Sequence, residues 1–544
     1  DHIEVIRGGG SSLWGNLAVA GVINIVTKTA SNATNEIAVG LGNMGSQSLS
    51  LAKNLLLSDR LQVRISADYF NTDGYIPTPT FFNGVYKLSA GQVSNSDTQA
   101  NLRVDTQLRI SQDTKAFMKF GIHQQNQYLT NELGQNLQQA FDISTGINHA
   151  LDASSFLDGK LWYQNIIFDK KNATGCWPGV SASTGVYSAL SSTCVNALTG
   201  YGVTPPNNAS IYKYISQTDY QPYTEIGSSF VYTRINDYGT ITMGVDSRRL
   251  SATDTQFNYN APTVSSGQVI SPTINTQINS QATQQFIGSF YQQKYRPIDS
   301  IEATLGMRLD SWTNSNANIK INNNLNPQLD QTNYSFNPSL SLKYFMDNDL
   351  SLRSSMYKGF RAPGMNNMYR SYGSTNSSSI SISNPNLSPE TLYGWEIGAD
   401  YKSNGIELSA TYYSLLVQNM NYSMALSNTS TGIAGEYYNT IKQQYGITAN
   451  SFNYYSDRFD SASNGIELSS RWHLTKELSL IVNYLYTNAY LTSTIDPIKN
   501  PSFQQLGGVS PNVGVLGLDW RISPKLKTYW QARAVSQAYL DTAQ

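Results

Sequence analysis

Polar and apolar residues alternate along most of this chain. Within 61–69, Leu61, Val63, Ile65, Ala67 and Tyr69 share one face, and Gln62, Arg64, Ser66 and Asp68 take the other. The same period places Ile37, Val39 and Leu41 together, then Leu340, Leu342 and Tyr344, then Ile406, Leu408, Ala410 and Tyr412. A period of two marks strands with unlike faces. Tight polar turns recur at 57–59, 111–113, 153–155, 236–239, 296–299, 346–349, 402–405, 475–477 and 522–524. Between them lie longer stretches rich in Asn, Ser, Gly and Tyr, at 71–96, 125–141, 170–220, 255–280, 313–333, 367–387, 420–455 and 492–505. Short turns alternating with long loops are the habit of a membrane β-barrel, whereas soluble domains carry few such loops. Counted this way, the chain holds about nineteen strands by residue 540, on the two-residue period.

Composition sharpens that choice. A soluble chain of 544 residues would divide into several domains. Charged residues make up only 13%, about half the share in ordinary soluble proteins, and tyrosines number 36. No apolar run approaches the roughly 18 residues of a transmembrane helix. A barrel needs none, because only alternate residues face lipid. The net charge of -1 argues against a basic nucleic-acid binder. The reading is an all-β transmembrane barrel.

The opening differs from the rest. A first strand runs into Gly8, Gly9 and Gly10, and a second is built from Val22, Ile23, Ile25 and Val26. No Gly-Lys-Ser/Thr follows, which counts against a phosphate-binding loop. Ile3-Glu4-Val5-Ile6-Arg7-Gly8, then Trp14-Gly15, then Gly21-Val22-Ile23-Asn24-Ile25-Val26-Thr27-Lys28 resemble the C-terminal end of the plug domain of TonB-dependent outer-membrane receptors. The family usually has Pro at the place of Gly9, and Tyr more often than Trp14. The resemblance implies a plug remnant over 1–30 and a receptor barrel over 31–544. It also implies a 22-stranded antiparallel barrel, so nineteen strands, a start in mid-motif and the lack of a signal peptide read as truncation at both ends.

Two further segments resemble the same receptors. Gly359-Phe360-Arg361-Ala362-Pro363 matches an F-R-A-P mark, and Asn384 to Glu390 with Trp395-Glu396-Ile397-Gly398 matches N-P-x-L-x-P-E…E-x-G. Alternation puts Glu396 and Glu467 toward the lumen, with Glu407 a weaker third. By resemblance, Arg7 pairs with Glu396 and Glu467 and locks the plug. Removing one partner of such a desolvated pair costs about 3–5 kcal/mol. The plain alternative is that these glutamates simply line a wet lumen.

The remaining expectations follow from this reading. Cys176 and Cys194 share one exported loop and read as a disulfide. Tyr201, Tyr212, Tyr369 and Tyr372 are loop aromatics that could stack on a ligand, although most tyrosines suit interfacial girdles. The 170–220 loop offers few basic residues, so an anionic ligand has no obvious cradle there. No nucleophile–base pair, metal cluster or cofactor motif stands out, so an enzyme is not expected. The resemblance implies a monomeric transporter in outer-membrane lipid, energised by the TonB–ExbB–ExbD complex. The substrate the resemblance implies is a ferric siderophore, with cobalamin the second choice. A passive porin is the rival, but a porin has no use for residues 3–28.

Overall fold

Alternating faces dictate a sheet with one apolar side, and the chain closes that sheet on itself. The structure, a computed structural model, describes residues 2–19, 21–29, 34–76, 80–82, 85–87, 93–129, 132–175, 213–260, 263–265, 268–270, 272–378, 380–495 and 502–539. Among them, nineteen strands from Glu36–Leu41 to Leu526–Val535 pair antiparallel, each with the next in sequence. A four-residue spur, Asn324–Pro327, adds to one of them, and the order returns to its start as a closed barrel. The expected strand count and antiparallel barrel are therefore present.

Polarity is inverted relative to a soluble domain. Leu342, Leu352, Trp395, Ile397, Ile466 and Leu468 point outward and are exposed, whereas Arg308, Asp310 and Asn337 are buried inside. So much exposed apolar surface suits lipid, not water. Tyr238, Tyr295, Tyr344, Tyr401, Trp472 and Trp520 form an exposed aromatic belt beside the tight turns. Amphipathic rings settle at a membrane interface, which accounts for many of the aromatic residues.

The wall is uneven in height. Lys213–Asn236, Gly239–Tyr259, Ile274–Ile298 and Ile301–Ile321 run 24, 21, 25 and 21 residues. A bilayer needs about 9–11. These strands continue well past the apolar band, so several stretches expected to be loops are paired backbone. The connection expected over 125–141 shrinks to 129–134, and that over 255–280 to 260–273. Beyond the lipid both faces are wet or covered by protein, so the hydrophobic alternation fades while the backbone ladder persists.

Among the described residues, the large apolar core lies at the long-loop end. Segments 362–389 and 419–459 bury Met368, Ile380, Ile382, Leu426, Phe452 and Phe459 against Ile278, Ile319 and Ile321 of the tall wall. A helix, Gly432–Tyr445, and a sheet of Ser381–Ile382, Ser451–Ser456 and Tyr422–Ser427 replace the expected structureless loop.

Inside the barrel sits an N-terminal hairpin. Strand β1 (His2–Arg7) pairs with β2 (Gly21–Val26), from His2 opposite Val26 to Arg7 opposite Gly21. Between them come a short helix, α1 (Ser11–Trp14), and a 3-10 turn, Gly15–Leu17. The strand–glycine–strand expectation holds for the backbone, with a helical turn added in the connection.

Candidate functional site

Where the hairpin meets the tall wall, a cavity of about 1010 Å³ opens. Asn16 and Val19 contribute from the hairpin, Arg248 and Phe286 from the wall, and Met365 and Tyr369 from the segment above. The Arg248 guanidinium lies 4.8 Å from the centre of the Phe286 ring and donates from Nη2 to Asn16 Oδ1 at 3.3 Å. Among the described residues, no carboxylate forms an ion pair with Arg248. Arg361 and Arg370 also line the space. Strand and loop-base arginines thus converge where the sequence showed no cradle.

The two signature segments meet at the base of 362–389. Arg361 and Glu390 are cross-strand partners, and Arg361 Nη2 donates to Glu390 Oε1 at 2.6 Å. Asn421 donates its backbone N–H to the same oxygen at 2.7 Å, so one buried carboxylate ties both cap segments together. Gln284 Nε2 donates to the Pro363 carbonyl at 3.0 Å. The spacing of these motifs thus has a mechanical reading: they clamp the two ends of one loop.

Arg370 anchors that loop to the wall. Its Nη2 donates to Asp219 Oδ2 at 2.6 Å, its Nε to Asp254 Oδ1 at 3.2 Å and its Nη1 to Asn366 Oδ1 at 3.2 Å. Both aspartates are almost fully buried. The guanidinium also lies 5.2 Å from the Tyr372 ring centre. Tyr369 is buried, which pushes its phenol up to about 12, so it remains a neutral hydroxyl at the cavity wall. Of the expected ligand aromatics, Tyr369 reaches the cavity and Tyr372 backs Arg370. Tyr201, Tyr212, Cys176 and Cys194 lie outside the described residues.

A second cavity, about 770 Å³, separates the hairpin from the opposite lumen wall. Glu396 and Glu467 both line it, with Val5, Ile6 and Gly8 facing them. Trp395 and Ile397 flank Glu396 on the outer face, and Ile466 and Leu468 flank Glu467 likewise, as the alternation requires. Tyr357 Oη donates to Glu396 Oε1 at 2.9 Å. Gly8 adopts φ +81, and a Cβ there would sit 2.5 Å from Glu396 Oε1. The positive angle favours glycine, and any added side chain would displace the Glu396 carboxylate. Arg7 follows the register of β1, but its side chain lies outside the described residues. Glu407 instead pairs with Lys402 at 2.7 Å beside a tight turn. Asn24 donates to Glu4 at 2.7 Å across the hairpin, and this bond holds the Glu4 carboxyl below its ordinary range. Trp14 is half exposed, and Gly15 (φ +70) abuts Arg308.

Sequence reading missed Arg308 with Asp246 and Asp310. The signal was present, since Met307 and Leu309 are exposed outward and the residues between must point in.

Fold and site together define a transmembrane-type barrel with a hairpin in its lumen and a capped cavity above it. The family profile described as "TonB dependent receptor-like, beta-barrel" matches residues 126–544. The chain belongs to that family, whose members and structural neighbours are receptors and transporters, not enzymes. It resembles the ferric yersiniabactin uptake receptor FyuA of Yersinia pestis with a TM-score of 0.68 at 12% identity, over 99% of this chain and 74% of that one. For the ferric-catecholate import receptor Fiu of Escherichia coli K12 the TM-score is 0.67 at 13% identity, over 98% and 76%. Identities this low establish the shared fold. The vitamin B12 transporter BtuB of Vibrio cholerae serotype O1 is 35% identical over 80 residues, 14% of this chain, and the match spans 13% of that transporter.

Proposed function

We propose that this protein is a TonB-dependent receptor of the bacterial outer membrane, with residues 1–30 as the end of the plug and 31–544 as the barrel. It captures a scarce ligand in the upper cavity and admits it when the TonB–ExbB–ExbD complex pulls the plug aside. The observation that carries this reading is the hairpin itself, which occupies the lumen and contributes Asn16 to the cavity beside Arg248. A passive porin would leave that path open. Arg248, with no carboxylate partner among the described residues, favours a ligand bearing oxyanions, so a ferric siderophore ranks first. The partial relation to a vitamin B12 transporter favours cobalamin as the second reading.

Uptake assays test this directly. Cells lacking the gene should lose uptake of one labelled compound, ferric siderophore or cobalamin, and regain it from the complete gene only where TonB works. Restoration without TonB would leave a passive pore.

The proposed Arg7 lock has its own test. Glu396 and Glu467 share the cavity beside Gly8, one residue from Arg7. Arg7→Ala should loosen the plug and raise entry of a large antibiotic several-fold in cells without TonB. Unchanged entry would reduce both glutamates to ordinary lumen residues.

A further inference from the structure

The turn between β1 and β2 is seated in the barrel wall by features the Arg7 lock does not use. Ser11 is fully buried and Ser12 nearly so. They rest in a recess floored by missing side chains. A Cβ on Gly306 would lie 2.9 Å from Ser12 Oγ, and one on Gly359 would lie 2.8 Å from Ser11 Oγ. Ser339 Oγ donates to Ser12 Oγ at 2.8 Å. Beside the recess, Arg308 is bound by Asp246 through Nη1 at 2.7 Å and Nη2 at 2.9 Å, and by Asp310 through Nε at 2.8 Å. Asn337 Nδ2 steadies Asp310 at 3.2 Å. A side chain on Gly288 would strike the guanidinium. So held, Arg308 turns Nη1 to the Leu13 carbonyl at 3.3 Å and packs against Gly15.

We propose that Ser11–Leu17 is a latch that holds the plug in the glycine-floored recess beneath Arg308 and must leave it before ligand passes. The inference rests on the transport reading above. Its polarity is opposite to the Arg7 lock, because here the barrel supplies the cation and the plug supplies backbone carbonyl and small hydroxyls. The latch adjoins the ligand cavity: Asp246 and Arg248 project inward two residues apart, one to Arg308 and the other to Asn16. Small residues on both sides let backbone and wall approach closely, so the seat is specific in shape and water has no room to replace it.

Replacing Ser12 and Ser339 by cysteine tests this with two near-isosteric changes. Their hydroxyls already touch, so the resting receptor should cross-link on oxidation. In cells expressing the complete receptor, the oxidised Ser12→Cys/Ser339→Cys variant should bind radiolabelled ferric siderophore as the reduced form does. Its uptake should fall to the level of cells without TonB, and a reductant should restore it. Uptake that continues with the cross-link intact would overturn the latch, as would failure of the resting receptor to cross-link. The reduced variant and both single variants must show TonB-dependent uptake. If the unaltered receptor shows TonB-dependent uptake of neither ferric siderophore nor cobalamin, the transport reading has failed instead. As a second measurement, Gly306→Val should fill the recess and raise large-antibiotic entry about ten-fold, with surface level and heat-resistant barrel mobility unchanged. Entry no higher than in the unaltered receptor would likewise count against the latch.

Discussion

Arg370→Ala should unfasten the segment over the cavity and weaken ligand binding at least ten-fold. The guanidinium is the sole counter-ion found for Asp219 and Asp254 among the described residues, at 2.6 and 3.2 Å. The aspartate side chains are 0% and 6% exposed. Stripping the cation from such buried carboxylates costs about 3–5 kcal/mol, because neither charge can return to water without moving the chain. The site will relieve itself by protonation or by opening. Either route frees 362–389, which places Met365 and Tyr369 at the cavity. Hydrogen exchange should show lost protection there and across 419–459, to which Glu390 ties it, while the barrel strands near the tight turns stay protected. Arg370→Lys should recover only part, since one ammonium cannot bridge two carboxylates as a fork does. Adding Asp219→Asn and Asp254→Asn to Arg370→Ala should restore most of the protection. If that triple variant is as loose as the single one, buried charge is not what holds the loop.

The same residues mark what the sequence could and could not disclose. Alternation exposed the barrel because lipid demands an apolar residue at every second position, as at Ile466 and Leu468 around Glu467. It failed above the membrane, where the first part of Ile274–Ile298 stays paired without a lipid-facing stripe. The helix Gly432–Tyr445 was legible in principle. Its buried residues Ala434, Tyr438, Ile441 and Tyr445 follow a helical period, but they sit among polar residues that read as loop. Motif resemblance located Arg361 and Glu390 without saying why they matter. Their cross-strand pairing supplies the reason. The clustering of Arg370 with Asp219 and Asp254 was beyond reach, since these residues are 151 and 116 positions apart. Only the closed wall brings them together. Arg308 and Asp310 lay between, being visible by parity but carrying no apolar signal of their own.

Arg248→Gln should separate recognition by charge from recognition by shape. A charge-assisted hydrogen bond contributes about 1.5–3 kcal/mol, so an oxyanionic ligand held by Arg248 should lose roughly 10- to 150-fold in affinity. Arg248→Glu should cost more, because repulsion replaces attraction, and Arg248→Lys should recover part of the loss. Binding to the unaltered receptor should weaken with added salt, and the Gln variant should lose most of that dependence. A ligand recognised through apolar and neutral polar contacts should change only a few-fold across the series, through lost packing on Phe286. Glutamine can still donate to Asn16, so this variant leaves the hairpin contact available and antibiotic entry should not rise. If Arg248→Gln leaves affinity for every ferric siderophore unchanged while Arg370→Ala abolishes binding, then the shape of the capped cavity selects the ligand. The anionic reading of the site would then give way to recognition through apolar and neutral polar contacts.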